Sequence, residues 1–297
     1  MSIYSQIDSN KQKTWLVMLL FVVFIATVAY VFGKASGYGV SYAAVAIIIS
    51  GIISLFSYYF SDSMVLAISG AKEIKERDDP ELYHVVENLG IAAGIPKPRL
   101  FMIKDQAPNA FATGRDPAHG VVCVTSGLRE KLNKAELEGV IAHELSHIGN
   151  FDTRLMAIVT ILVGLVALLA DWFMRSLWWG RNDRNGNNKS EGVFVILGII
   201  LAILSPIIAT LIQLSISRRR EFLADANGAF ITRYPEGLAR ALEKIAADKT
   251  APSFANNATA HLFIENPFKG KSTSSWFSSL FNTHPPIVER IKILRSM

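Results

Sequence analysis

Residues 141–148 read Ile141-Ala142-His143-Glu144-Leu145-Ser146-His147-Ile148, and the His-Glu-x-x-His spacing within them decides how the rest of the chain is read. On an α-helix, positions four apart share a face, one turn apart. His143 and His147 therefore aim two imidazole nitrogens at one point, which suits a tetrahedral Zn²⁺ with nitrogens at roughly 2.0–2.1 Å. Glu144 stands beside the first of them. A water on zinc has its pKa lowered to about 7, and a neighbouring carboxylate can take its proton. The flanking residues support a helix. Asn133 is a candidate N-cap with Glu136 three positions on, the pattern of a capping box. Val140, Ile141, Leu145 and Ile148 form an apolar stripe, and Gly149 is placed to end the helix.

Around this stretch the chain is too apolar for an ordinary soluble domain. Of its 297 residues 51% are hydrophobic, and the mean hydropathy is +0.30, so membrane spans are expected. The net charge of +5 fits lysine and arginine gathered at the cytoplasmic ends of spans. No basic stripe interleaved with aromatics is present, so nucleic acid is not an expected partner. Cys123 is the single cysteine. It reads as a buried strand residue, and one cysteine forms no internal disulfide, which suits a reducing compartment.

Upstream, residues 1–13 form a short polar segment. Trp15–Phe32 and Val40–Phe60 are apolar runs long enough to cross a bilayer, so residues 14–60 read as a two-helix hairpin. Residues 61–151 read as the first part of a soluble domain. Asp79-Pro80-Glu81 opens a helix through about Ala93, Gly94–Pro98 is a turn, and Arg99–Ile103 is a strand. Pro108–Gly114 and Gly120–Thr125 are two more extended stretches. Asn109, Ala110, Phe111 and Ala112 are candidates for a strand edge that holds an extended peptide by main-chain hydrogen bonds; the alternative for Asn109–Thr113 is a plain loop.

Downstream, residues 152–217 read as a second membrane hairpin. Arg154–Trp179 forms the third span, with Asp171 and Arg175 one turn apart as a candidate pair. Gly192–Ser217 forms the fourth, kinked at Pro206. One side of the membrane would hold Lys11, Lys13, Lys72, Lys75, Arg77, Arg154 and Arg218 to Arg220, the other Lys34, Arg181, Arg184 and Lys189. The first is expected to be cytoplasmic, with both termini and both soluble pieces.

Residues 218–297 read as the second part of the soluble domain. A catalytic zinc with two histidines lacks one protein ligand. Glu221 is the natural supplier, and Asp225, one turn on, can hydrogen-bond a ligand histidine. Alternatively these acids pair with the adjacent arginines on a juxtamembrane helix. Pro235–Ala247 is an amphipathic helix. Thr250–Phe281 reads as polar surface interrupted by Trp276, Phe277, Leu280 and Phe281. His284, before Pro285-Pro286 and a closing helix over Ile287–Leu294, is a candidate donor to a developing oxyanion. His84, His119 and His261 have no supporting spacing.

His143-Glu-Leu-Ser-His147, Arg220-Glu221-Phe-Leu-Ala-Asp225, Thr283-His-Pro-Pro286 and Pro108–Gly114 together resemble the M48 membrane metallopeptidases, and the four-span layout resembles their HtpX-like branch, found in prokaryotic membranes. The resemblance implies an α+β, predominantly helical, multi-span membrane protein whose gluzincin-like protease domain combines a small antiparallel sheet with the His-Glu-x-x-His helix. It implies one zinc ion per chain on His143, His147 and Glu221, with Glu144 as the catalytic carboxylate. It further implies a zinc endopeptidase of the cell membrane, acting from the cytoplasmic side on damaged or misfolded membrane proteins. An intramembrane site-two-type protease is disfavoured because Asn133–Glu138 is too polar for the bilayer. A catalytically idle scaffold is disfavoured by the complete ligand set.

Overall fold

The computed structural model of the chain describes residues 3–35, 40–179, 218–253, 264 and 285–297. The expected fourth span, the Trp276–Phe281 insert, His261 and His284 lie outside the described residues.

Helices α1 (Ile3–Ala35) and α2 (Val40–Ile68) pack side by side. Among the described residues they are the two helices apolar and long enough to cross a membrane unaided, over Ile7–Tyr30 and Ala44–Ile68. Their outer faces leave Leu19, Val23, Ile48, Ile52 and Phe56 exposed, as lipid-facing side chains should be. The inner face of α2 carries buried Ser50, Ser54, Ser57 and Ser61, small residues that let helices approach closely. The helix continues through Ile68, past the Phe60 boundary expected from hydropathy, because Val65 and Leu66 are buried under the sheet.

The soluble part begins with β1 (Lys72–Glu73) and α3 (Pro80–Ala93). Asp79 caps α3 through its side chain, and Gly94 ends it in the left-handed conformation that glycine adopts without strain. Three strands follow: β2 (Arg99–Ile103), β3 (Ala110–Thr113) and β4 (Val121–Thr125). The four strands lie in the order β1-β2-β4-β3. Both outer pairings are antiparallel, but β2 and β4 run parallel. The sheet is therefore mixed, which corrects the expected antiparallel one. After β2 the chain passes over one position, builds β3 as the far edge, and returns through the gap as β4.

Period-two alternation buries both faces of this sheet. Leu100, Ala110, Ala112, Val122 and Val124 join the main core with α3 and the later helices. Phe101, Ile103, Phe111, Val121 and Cys123 pack on Val65 and Leu66 of α2 and on Ala157. Burial pushes the Cys123 thiol far up, so it stays protonated.

Helix α4 (Ser126–Lys131) leads to α5 (Lys134–Gly149), which carries the histidines. The Asn133 side chain accepts from the Glu136 amide at 3.0 Å while the Glu136 carboxylate accepts from the Asn133 amide at 2.9 Å, completing the capping box. Gly149 is the last helical residue rather than the terminator. The chain turns at Asn150 and Phe151, the latter at φ 59°, into α6 (Asp152–Trp179), with α5 and α6 at 80° to one another. The expected Asp171–Arg175 pair lies beyond the side chains described for α6. Helices α7 (Arg218–Thr232), α8 (Pro235–Ala247) and α9 (Ile287–Leu294) then close on α5 and on one another.

A candidate metal centre where two helices cross

Helix α5 supplies His143 and His147, and α7 supplies Glu221; all three side chains are buried. The two helices can meet this closely because α7 presents Gly228 two turns after Glu221. A Cβ there would lie 3.1 Å from the backbone nitrogen of His143.

The ligand-type atoms converge. His143 Nε2 and His147 Nε2 are 3.2 Å apart, with the rings nearly perpendicular. Glu221 Oε1 lies 3.5 Å from His147 Nε2, and Glu221 Oε2 lies 3.6 Å from His143 Nε2. Atoms bonded tetrahedrally to one ion at roughly 2.0–2.1 Å stand about 3.3–3.4 Å from each other. The three donors match that spacing.

The far sides of the rings are also arranged as a cation site would need. His143 Nδ1 is 2.9 Å from Asp225 Oδ1, and His147 Nδ1 is 3.0 Å from Asp152 Oδ2. A neutral imidazole has one N–H, and each carboxylate takes it at Nδ1. Both Nε2 lone pairs then face each other and an acidic side chain across 3.2 Å, an arrangement that a cation stabilises. Without an ion, a proton substitutes. Burial works against charge on His143, but hydrogen bonds to Asp225 and Glu221 prevail and raise its pKa to about 9.

Glu144 is buried beside the histidines. Burial pushes its pKa up, against the pull of His143 and His147. Its position on α5, next to a candidate ligand and out of bulk water, fits a group that exchanges protons.

Asp225 is in turn held by Arg290 of α9, whose guanidinium donates to both carboxylate oxygens at 2.8 and 2.6 Å. Burial opposes its charge, yet Arg290 and His143 keep the Asp225 carboxyl below the usual carboxylate range. Arg290 Nη1 also lies 3.6 Å from Glu221 Oε2, so one buried cation faces two of the site's acids.

The candidate peptide-binding residues Ala110, Phe111 and Ala112 form β3, the sheet edge, which packs against α5. Asn109 precedes it, its side-chain oxygen accepting from the Ile264 amide at 3.0 Å. Asn109–Ala112 are buried.

Four residues that the sequence left unassigned belong to this assembly: Asp152, Arg220, Arg290 and Asn10. Asp152 follows His147 by five positions, just past the end of α5, and reaches it only because the chain bends there. Arg220 donates to Asp152 Oδ1 at 2.9 Å and sits in the Arg-Glu pair already noted. Arg290 and Asn10 carried no local signal, being 65 and 140 positions from the residues they bond.

A profile described as "Peptidase family M48" matches residues 76–297. A "Protease HtpX homolog" from Dictyoglomus thermophilum is 44% identical over 294 residues, covering 99% of this chain and 94% of the relative. Another so named, from Thermoanaerobacter pseudethanolicus, is 42% identical over 299 residues, covering 100% and 98%. The crystal structure of S. mikatae Ste24p superposes with a TM-score of 0.50 at 17% identity, over 95% of this chain and 66% of that one. At that identity the likeness speaks for the fold alone.

Proposed function

The chain belongs to peptidase family M48 and is a membrane metalloprotease acting on peptide or protein substrates; from that premise we propose that His143, His147 and Glu221 hold one zinc ion and that Glu144 is its catalytic carboxylate. The observation that carries this reading is the convergence of the three donor atoms, all within 4.8 Å of one another, from two separate stretches of chain.

Zinc held there by His143, His147 and Glu221 would supply Lewis acidity toward a peptide carbonyl and a water. Glu144 would serve as the proton carrier of the site, its carboxylate taking up a proton and passing one to the leaving amine nitrogen. Its raised pKa suits the first half of this exchange, because burial makes the carboxylate a stronger base. Asp225 and Asp152 hold the two imidazoles with Nε2 inward. Arg290 fixes Asp225 and offsets the negative charge gathered there. The edge strand β3, beside α5, is our candidate for holding an extended peptide by backbone pairing. His284, before α9, remains our candidate donor to the oxyanion.

We read the enzyme as an endopeptidase of the cell membrane, multi-pass, with the catalytic part cytoplasmic and with damaged or misfolded membrane proteins as substrates. We assign membrane hairpins to residues 14–68, the end of α2, and to residues 152–217, and catalytic halves to residues 69–151 and 218–297. Two features support this reading: the lipid-facing character of α1 and α2, and the capped, sheet-packed setting of α5.

The test is metal quantification together with casein digestion in detergent, on wild type, Glu221→Ala and Glu144→Gln. We expect one zinc per chain in wild type and Glu144→Gln, little in Glu221→Ala, and cleavage in wild type alone. Stoichiometric zinc in Glu221→Ala would remove the third ligand.

A further inference from the structure

We propose that Asn10, near the start of α1, is a positioning residue for His147, acting through Asp152. The proposal rests on the reading that His147 is a metal ligand. Asn10 is 1% exposed. Its Nδ2 donates to Asp152 Oδ1 at 2.7 Å and to the Asn150 carbonyl at 2.9 Å. The Thr14 hydroxyl, itself buried, donates to the Asn10 carbonyl at 2.9 Å and ties down that turn of α1. Asp152 thus has Asn10 and Arg220 on one oxygen and His147 on the other.

The linkage matters because His147 and Asp152 sit on opposite sides of the bend between α5 and α6. The helix fixes His147, but the bend decides how far Asp152 is from its Nδ1. Phe151, at that bend, has φ 59°, a region that bulky residues avoid, so the corner needs outside support. Helix α1 provides it twice. Asn10 holds the Asn150 carbonyl, and the Lys11 ammonium lies 4.9 Å from the centre of the Phe151 ring. Arg154 contacts the same ring from α6 at 4.8 Å. A ligand imidazole must keep its proton on Nδ1 to offer Nε2, and a carboxylate held at Nδ1 enforces that tautomer. Membrane helix and metal ligand are therefore joined by two hydrogen bonds through one carboxylate.

The experiment uses the full chain in detergent. Zinc affinity is measured by competition with a chromogenic chelator, and ligand geometry by the visible spectrum of the Co²⁺-substituted protein. Asn10→Leu keeps the branching and the heavy-atom count and removes the donor. It should weaken zinc binding about tenfold, the low end of what residues supporting metal ligands contribute, and shift the Co²⁺ bands. Asp152→Asn should weaken it further. Val17→Ala, at a buried α1 position packed on α6, should lower the melting temperature without moving either metal readout. Should Asn10→Leu fail to fold, Asn10→Ser is read by the same criteria. The proposal is overturned by a folded Asn10 variant with zinc affinity within about twofold of wild type and an unchanged Co²⁺ spectrum. An equal loss of affinity in Val17→Ala overturns it as well, since the effect would then be general packing. A His147→Ala protein that binds zinc like wild type instead fells the metal-centre reading, and this link with it.

Discussion

His143 and His147 look alike in sequence, yet the fold gives them different support. His143 is backed by Asp225, which Arg290 grips with two hydrogen bonds; His147 is backed by Asp152, which Arg220 and Asn10 share. Replacing Asp225 by Ala should therefore lower zinc affinity by about 10–100-fold while leaving the His147 side intact; isothermal titration with zinc on the purified protein checks this. Replacing Arg290 by Leu is harsher. It takes the Arg290 guanidinium away from buried Asp225 and Glu221, and breaking a buried pair of this kind costs about 3–5 kcal/mol. Thermal melts of metal-free protein should register that loss, and an unchanged melting temperature would refute the account of Arg290. For Glu144→Gln, a drop in turnover of about 10²–10⁴ is expected from the loss of general acid–base catalysis, at full zinc occupancy.

At the scale of the elements, α5 is the hub, touched by α3, α6, α7, α8 and the sheet. Its close contacts rest on glycines. Gly139 faces α8 so tightly that a Cβ would lie 2.6 Å from the Leu238 nitrogen. Gly139→Ala should force the helices apart and destabilise by about 1–3 kcal/mol, seen as a lower urea midpoint in detergent. The rim of the domain carries a pH-sensitive tie. Lys131 at the end of α4 bonds Asp248, which follows α8, at 2.6 Å. Burial opposes the charge on Asp248, but Lys131 and Thr250 hold its carboxyl down at about 2. A depressed folded pKa means stability present above the unfolded value near 3.9 and lost as pH falls toward 2. Wild type should melt above Asp248→Asn at pH 5, and the gap should shrink on acidification through that window.

For the whole molecule, the decisive feature is that the site is assembled from both soluble pieces and braced from the membrane hairpin. Metal binding is then a folding event for the assembly. At free zinc a hundred times its dissociation constant, the bound ion should stabilise the protein by about 2.7 kcal/mol. A chelator should lower the melting temperature as well as abolish cleavage.

Much of this was legible beforehand. His-Glu-x-x-His declares itself because four positions make one helical turn, and the Asn133–Glu136 box, the Asp79-Pro80 helix start and the two apolar runs are equally local. The strands at Arg99–Ile103 and Gly120–Thr125 are short apolar runs that each follow a turn residue. Sheet direction was not legible, because parallel and antiparallel neighbours bury the same alternating side chains. Helix ends were also read imperfectly. Val65 and Leu66 prolong α2 for the sake of the sheet, and the turn after Gly149 falls at Phe151 because contacts from α1 and α6 stabilise a conformation its own side chain disfavours. The sequence by itself determined which residues could bind an ion and which could lie in lipid, since both follow from periodicity and composition within one helix length. Only the tertiary structure decided that Asp152, Arg290 and Asn10 stand around those histidines, because the bend after α5 brings Asp152 back to His147, and bonds spanning 65 and 140 positions are set by how helices pack.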